Sequence, residues 1–407
     1  MPEKTPSTQT TKLHYGIYAC YAFLSLISLC ASYSLTGKIL TSLINVLVGL
    51  GIMILFSKIS YKFLNKFSTI ALLLAFVLLV ITLIFGSGGG GRSLSIGGAK
   101  IQTLYIVTII VVFYMSAFLA RLPRKFARID KEAKIRNLSN KECEFQKEQV
   151  GNQLYFTAMI VLAIFIAMIA MRNISTAILL SITGLSILFV TNIRFKYILF
   201  FVLVMGICGG IYLTYDTLHD RAKQDTEVAD KEVKTRGATG FNRIKFFFTG
   251  ESDVEGYGRQ MVMAKTAIAR SLTHPAGPGK GMMKGKMSEG ENDFVFAMIC
   301  EEFTIVAGIF IILLYIILFN ISLKISRRVK PGTFACYFTV GIGVLIVGQA
   351  LIHIAVNVGM IPATGQTLPF ISRGLTNLIV TSAAIGILIN IAKQNDWDED
   401  EEVEENA

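Results

Sequence analysis

Acidic residues crowd into one stretch of an otherwise apolar region. Met287–Glu302, MSEGENDFVFAMICEE, sets Glu289, Glu291 and Asp293 at the mouth of a hydrophobic run that continues through Ile311–Phe319. Ionisable groups at the edge of a hydrocarbon layer are costly and mark functional sites by default. A carboxylate placed there, Glu289, Glu291 or Asp293, is suited to general-base work. Asp293 also suits capping the first turn of a helix, where orphan amides and the helix dipole favour Asp, and the two roles are compatible. Glu301 and Glu302 are expected to pair with a basic residue and hold the bundle, and Glu289 and Glu291 read as solvated loop acids. Two other stretches have chemical potential. The segment before Asp293 gathers Arg243, Lys245, Arg259, Lys265, Arg270, Lys280, Lys284 and Lys286, a basic set suited to phosphate, although long loops also carry such residues for solubility. Beyond it lies GMIPATGQTLPFISRG (Gly359–Gly374), where Pro and Gly break helical continuity. At membrane depth that is tolerated only beside protein or a water-filled cavity, so a re-entrant loop or cavity wall is expected, carrying the polar residues Thr367, Ser372 and Arg373. His353 and Gln349, in the apolar run before it, read as hydrogen-bonded packing residues.

These residues must be positioned by membrane helices. The chain of 407 residues is 53% hydrophobic and 16% charged, with net charge +11 and mean hydropathy +0.58. That composition excludes a water-soluble domain, and apolar blocks of about 17–25 residues exclude an outer-membrane barrel. The expected fold is all-α: a polytopic membrane protein with about ten spans near 15–36, 41–58, 68–87, 101–120, 153–171, 174–192, 196–215, 293–320, 334–357 and 375–393. Basic residues cluster after the even-numbered spans: Lys58, Lys62 and Lys66; Arg121, Arg124, Lys125, Arg128, Lys131 and Lys134; Arg194 and Lys196; Lys324, Arg327, Arg328 and Lys330. The positive-inside rule then makes those exits and both termini cytoplasmic. Residues 1–14 form a cytoplasmic segment, 15–393 the ten-helix membrane domain with a large extracytoplasmic loop at 216–292, and 394–407 a cytoplasmic tail.

Within the long loop, Phe241–Leu272 turns amphipathic, with Met261, Ala264, Ile268 and Leu272 at helical spacing, as suits a membrane surface. The glycine-rich loop 88–100 reads as a flexible linker. The acidic ending DWDEDEEVEENA reads as a disordered tail. Six scattered cysteines without a CxxC pair indicate neither a metal site nor a disulfide framework. The first apolar block lacks a small-residue cleavage pattern and is expected to be a retained helix.

Four blocks carry a family resemblance: QMVMAKTAIA (Gln260–Ala269), GPGKG (Gly277–Gly281), NDFVFAMICEEFTIVAG (Asn292–Gly308) and Gly359–Gly374. In order and spacing they resemble the signatures of the shape, elongation, division and sporulation (SEDS) family, the FtsW/RodA polymerases of lipid-linked peptidoglycan precursor. Weaker echoes lie in CASYSL, GGGGRS, Gln102 and RNISTA (Arg172–Ala177). The departures are Asn173 for a usual acidic residue, Thr103–Tyr105 for Pro-Ser-Glu, His353 for a common Asn, Thr364 for a Lys of some division-type members, and Arg373-Gly374-Leu375-Thr376 for Tyr-Gly-Gly-Ser. The GQTLPFISRG block leans toward the division-type branch, FtsW.

The resemblance implies a peptidoglycan glycosyltransferase that polymerises lipid II at the outer face of the bacterial cytoplasmic (inner) membrane. It further implies a class B penicillin-binding protein transpeptidase and divisome proteins as partners, together with membrane lipid and no nucleic acid. In that reaction Asp293 is the base. Arg92, Arg243, Lys265 and Lys280 are the candidates to meet the leaving pyrophosphate, and Gln366, Ser372 and Arg373 further substrate contacts. A divalent cation, Mg²⁺ or Mn²⁺, is another way to supply the positive charge, but no set of oxygen ligands is legible, so no residue is assigned to metal. A lipid II flippase and a non-catalytic divisome scaffold are the alternatives, since broken helices in a ten-span bundle also suit transport.

Overall fold

The computed structural model describes residues 13–37, 39–86, 93–96, 99–136, 139–191, 193–199, 201–203, 206, 257–287 and 290–405. Its helices in chain order are α1 (Leu13–Thr36), α2 (Ile39–Lys58), the short α3 (Tyr61–Asn65), α4 (Ser68–Phe85), α5 (Thr103–Leu119), α6 (Arg121–Arg136), α7 (Asn140–Ala170), α8 (Ile174–Val190), α9 (Tyr257–Ser271), α10 (Val295–Phe303), α11 (Ile305–Arg328), α12 (Phe334–Asn357) and α13 (Leu375–Glu405). Among the described residues, 8 helices are long and apolar enough to cross a membrane, and α8 is a shorter apolar helix. This is the helical, multi-pass architecture expected from hydropathy. The seventh expected span is helical at 195–199, 201–203 and 206 and lies otherwise outside the described residues, as does 216–256 of the long loop.

Helices α12 and α13 are the most buried spans, whereas α2 and α4 keep large apolar side chains such as Leu40, Leu47, Leu73 and Ile84 on the surface. In lipid that exposure carries no hydrophobic penalty, so association rests on close packing, which small residues permit. Gly386 of α13 is the clearest case. A Cβ there would lie 2.5 Å from the Met53 carbonyl oxygen of α2, so the two backbones approach as only glycine allows.

Four expectations change. Residues 293–320 are not one span. Thr304 adopts φ 90°, ψ 161° and separates nine-residue α10 from α11. In a straight helix Phe296 and Gly308 would sit about 18 Å apart along the axis. Here a Cβ on Gly308 would lie 2.6 Å from Cys300 Sγ and 3.1 Å from Phe296 Cζ, so α10 folds back against the start of α11. The amphipathic segment of the long loop is a helix, α9, but its buried Met261, Ala264 and Ala267 face α10 rather than a lipid surface, and Leu272 is exposed. A protein face was available, and burial there also satisfies the helix. The loop 88–100 carries a short hairpin that ends one residue beyond it: Leu94–Ile96 (β1) pairs antiparallel with Ala99–Ile101 (β2). The acidic tail continues α13 to Glu405, since no Gly or Pro after Gly386 stops the helix and Glu is a good helix former.

Candidate active site

The site is assembled at the end of the bundle where α1 and α12 finish and α10 and α13 begin. Asp293 stands two residues before α10, half-buried. The residue before that helix, Phe294, has no side chain able to cap it. The cap comes from another helix: Asn357, the fully buried last residue of α12, accepts from Ala297 N–H at 3.0 Å through Oδ1. Its Nδ2 donates to the Asp293 carbonyl at 3.1 Å and to the His353 carbonyl at 2.8 Å. One amide therefore fixes both the entry into α10 and the backbone of Asp293.

The Pro/Gly-rich segment 359–374 docks directly onto this entry. Ser372 Oγ donates to the Asn292 carbonyl at 2.7 Å while accepting from Leu368 N–H at 2.7 Å. Arg373 pairs with Glu291 at 2.7 Å, and its N–H reaches the Glu291 carbonyl at 3.4 Å. The segment thus meets the two residues that precede Asp293, and Glu291 is an ion-pair partner rather than a solvated acid. From below, Tyr315 hydroxyl donates to the Pro369 carbonyl. Phe370, at φ 65°, sets its ring 5.3 Å from that of Tyr21.

Behind the segment lies a buried polar network that corrects one site expectation. Gln366 is no exposed substrate contact: it is buried, donates to Thr176 Oγ1 at 2.7 Å, and accepts from the Tyr105 hydroxyl at 3.5 Å. A broken backbone in the bundle interior needs polar partners, and Gln366 supplies them across α5 and α8. Thr367 binds Gln349, Asn377 and Tyr105 in the same way. His353 is a buried packing residue whose Nδ1 lies 2.7 Å from the Gln366 carbonyl; its Nε2 has no partner among the described residues. Asn173 is the N-cap of α8, accepting from Ser175 and Thr176 N–H.

The loop between α9 and α10 carries the cations. Lys280 is exposed on it. Lys265, exposed on α9, lays its stem over Gly359, where a Cβ would collide with Lys265 Cε, and so reaches the start of the Pro/Gly segment. Arg92 and Arg243 lie outside the described residues. Glu301 and Glu302 are 1% exposed and structural as expected, but their partners are main-chain amides and not a basic residue. Glu301 accepts from Met282 and Met283 N–H, and Glu302 from Gly279 and Gly281 N–H and Ser34 of α1. The folding back of α10 brings both acids to the loop instead of deeper into the membrane. Among the described residues no three His, Cys, Asp or Glu side chains gather to hold a metal ion. A cleft of about 30 Å³ also opens between α1, α2 and residues 370–375, lined by Ser28, Ser32, Ser42, Asn45, Ser372 and Arg373.

Sequence reasoning missed Asn357, Ser34 and Tyr105. Asn357, two residues before Gly359, carries only the signal of a helix ending. Its action on α10 is a tertiary fact.

Fold and site together define a multi-pass helical membrane protein with a carboxylate centre built where a short buried helix meets a broken segment. The chain belongs to the FtsW/RodA/SpoVE cell cycle protein family, whose model matches residues 8–396. It is 26% identical to a probable peptidoglycan glycosyltransferase FtsW of Trichlorobacter lovleyi, covering 82% of this chain and 78% of the relative. It is also 26% identical to the corresponding protein of Borreliella burgdorferi over 93% of each chain. Stage V sporulation protein E of Bacillus subtilis is 25% identical, covering 85% and 84%. Among solved structures, a chain of a peptidoglycan synthase complex that coordinates polymerisation and crosslinking shares the fold at TM-score 0.64 and 16% identity, covering 94% of this chain and 98% of that one. The rod shape determining protein RodA of Thermus thermophilus does so at TM-score 0.58 and 14% identity, covering 94% and 97%.

Proposed function

We propose that this protein is a peptidoglycan glycosyltransferase that polymerises lipid II at the outer face of the bacterial cytoplasmic membrane, with both termini cytoplasmic and in the service of cell division. The observation that carries the reading is Asp293 itself. It is a half-buried carboxylate whose backbone is fixed by Asn357 and whose preceding residues are tied to Ser372 and Arg373.

The 4-hydroxyl of an acceptor sugar is a poor nucleophile until its proton is taken in the transition state. Asp293 accepts that proton as the oxygen attacks the anomeric carbon of the donor, and undecaprenyl pyrophosphate leaves with the bonding pair. The leaving group needs positive charge more than a proton, and we assign that role to Lys265 and Lys280, exposed on α9 and the loop after it, together with Arg373, which is paired with Glu291. Holding the carboxylate on a capped helix end keeps it in attacking geometry. The described residues do not form a protein cage for a divalent cation, so no step is assigned to one.

A flippase would need polar groups along an open path. Among the described residues, the polar side chains around Gln366 and Thr367 mostly bind one another, beside a cavity of about 10 Å³, room for roughly one water. That supports chemistry at one face over transport. The family resemblance extends the reading to a class B penicillin-binding protein and divisome proteins as partners. The test is purified protein with a cognate transpeptidase, given lipid II: Asp293→Ala and Asp293→Asn should lose glycan polymerisation by at least 100-fold with an unchanged melting profile. Polymerisation at the wild-type rate by either variant would overturn the assignment.

A further inference from the structure

Two buried carboxylates side by side need a reason, and general-base work has used neither. Glu302 straddles a single residue: its Oε2 accepts from Gly279 N–H at 3.2 Å and its Oε1 from Gly281 N–H at 3.3 Å, so the amides on both sides of Lys280 are tied to one carboxylate. Gly279 N–H also donates to Ser34 Oγ at 2.6 Å, and Ser34 in turn donates to Glu302. Glu301 extends the clamp along the loop to Met282 at 3.0 Å and Met283 at 3.3 Å, while its carbonyl takes Ala276 N–H at 2.9 Å. The clamped backbone is specific. Gly277 and Gly279 have φ of 83° and 75°. A Cβ on Gly281 would lie 2.8 Å from Glu302 Oε1 and 3.1 Å from Glu301 Oε2.

Such an arrangement calls for a side chain that accepts on both oxygens; an amide would turn an N–H₂ toward one of the N–H donors. Of the lysines on this loop, Lys284 is turned inward, its Nζ donating to the Ser34 carbonyl at 2.6 Å. Lys280, at the centre of the clamp, is exposed. We propose that Glu302, supported by Glu301 and Ser34, is a positioning residue that presents Lys280 to the pyrophosphate of the polyprenyl substrate. The inference rests on the glycosyltransferase reading. From Asp293 to Glu301 the rise along α10 is on the order of 12 Å, and the loop runs back beside that helix, with Gly290 close to Met298. The base and the clamped backbone thus stand at the two ends of one short helix, and the Lys280 side chain must reach back along it, because the pyrophosphate is bonded directly to the anomeric carbon that the acceptor attacks.

The experiment measures the affinity of the full chain in nanodiscs for undecaprenyl pyrophosphate, with lipid II polymerisation run in parallel. Glu302→Gln and Lys280→Gln should each weaken binding about tenfold, and the double variant should bind no more weakly than Lys280→Gln alone, because one residue acts through the other. Trypsin should cut after Lys280 faster in Glu302→Gln than in wild type. Gly281→Ala, which keeps both carboxylates and displaces them, should reproduce both effects if Glu302→Gln folds poorly. Additive losses in the double variant, an undiminished affinity in Lys280→Gln, or no binding by wild type would each overturn the proposal. Wild type that binds the pyrophosphate yet polymerises nothing would instead overturn the glycosyltransferase reading, leaving presentation of Lys280 to stand on the binding cycle.

Discussion

Asn357→Ala is the most informative single change. The side chain is fully buried and makes three hydrogen bonds: from Ala297 N–H, to the Asp293 carbonyl and to the His353 carbonyl. The last is expendable, since that carbonyl belongs to the interior of α12 and keeps its helical bond. The other two groups lose their named partner. Ala297 N–H is one of the donors left over at the start of α10, and Phe294 offers no replacement. The buried Ala297 N–H costs about 1–3 kcal/mol if left unsatisfied, and the lost bond to the part-buried Asp293 carbonyl about 0.5–1.5 kcal/mol, which together predict a loss of about 2–4 kcal/mol. Asn357→Asp keeps an acceptor for Ala297 N–H while turning an oxygen, in place of the amide donor, toward the Asp293 and His353 carbonyls. At a fully buried position that juxtaposition should cost at least as much stability as the alanine variant, and polymerisation should fall as far, because the released bond is the one that fixes Asp293. The assays are thermal unfolding in detergent and lipid II polymerisation below the transition. If Asn357→Ala melts within about 0.5 kcal/mol of wild type, or if Asn357→Asp retains full activity, the cap from α12 does not organise the site.

Thr304→Gly should stabilise the protein by about 1 kcal/mol, because relief of a non-glycine residue at φ 90° outweighs the loss of the Thr304–Val306 cap bond, which glycine replaces at a cost of only a few tenths. A lower melting temperature would show that the bend between α10 and α11 is not strained. Gly386→Ala should destabilise the α2–α13 pair by about 1–3 kcal/mol, read as a lower unfolding midpoint, since its Cβ would meet backbone at Met53 and cannot be accommodated by a rotamer change. An unchanged midpoint would mean that the helices separate freely.

The sequence by itself determined the membrane architecture, because hydrocarbon demands long apolar helices and their periodic spacing is written directly in composition. It also placed Asp293 at a helix start, and it marked Gly359–Gly374 as a broken segment near the same site, because Pro and Gly act locally whatever surrounds them. Helix ends followed local chemistry in the same way, as at Asn173. Tertiary structure alone decided which polar groups meet. Glu301 and Glu302 looked like partners for a cation until the bend at Thr304 turned them onto amides of the 279–283 loop. Gln366 looked like a substrate contact until Thr176 and Tyr105, far away in the chain, enclosed it. Asn357 carried no signal beyond a helix ending, yet it holds the backbone of Asp293. The reason is common to all three: a buried polar side chain is defined by its partner, and a partner from another helix leaves no trace in local spacing.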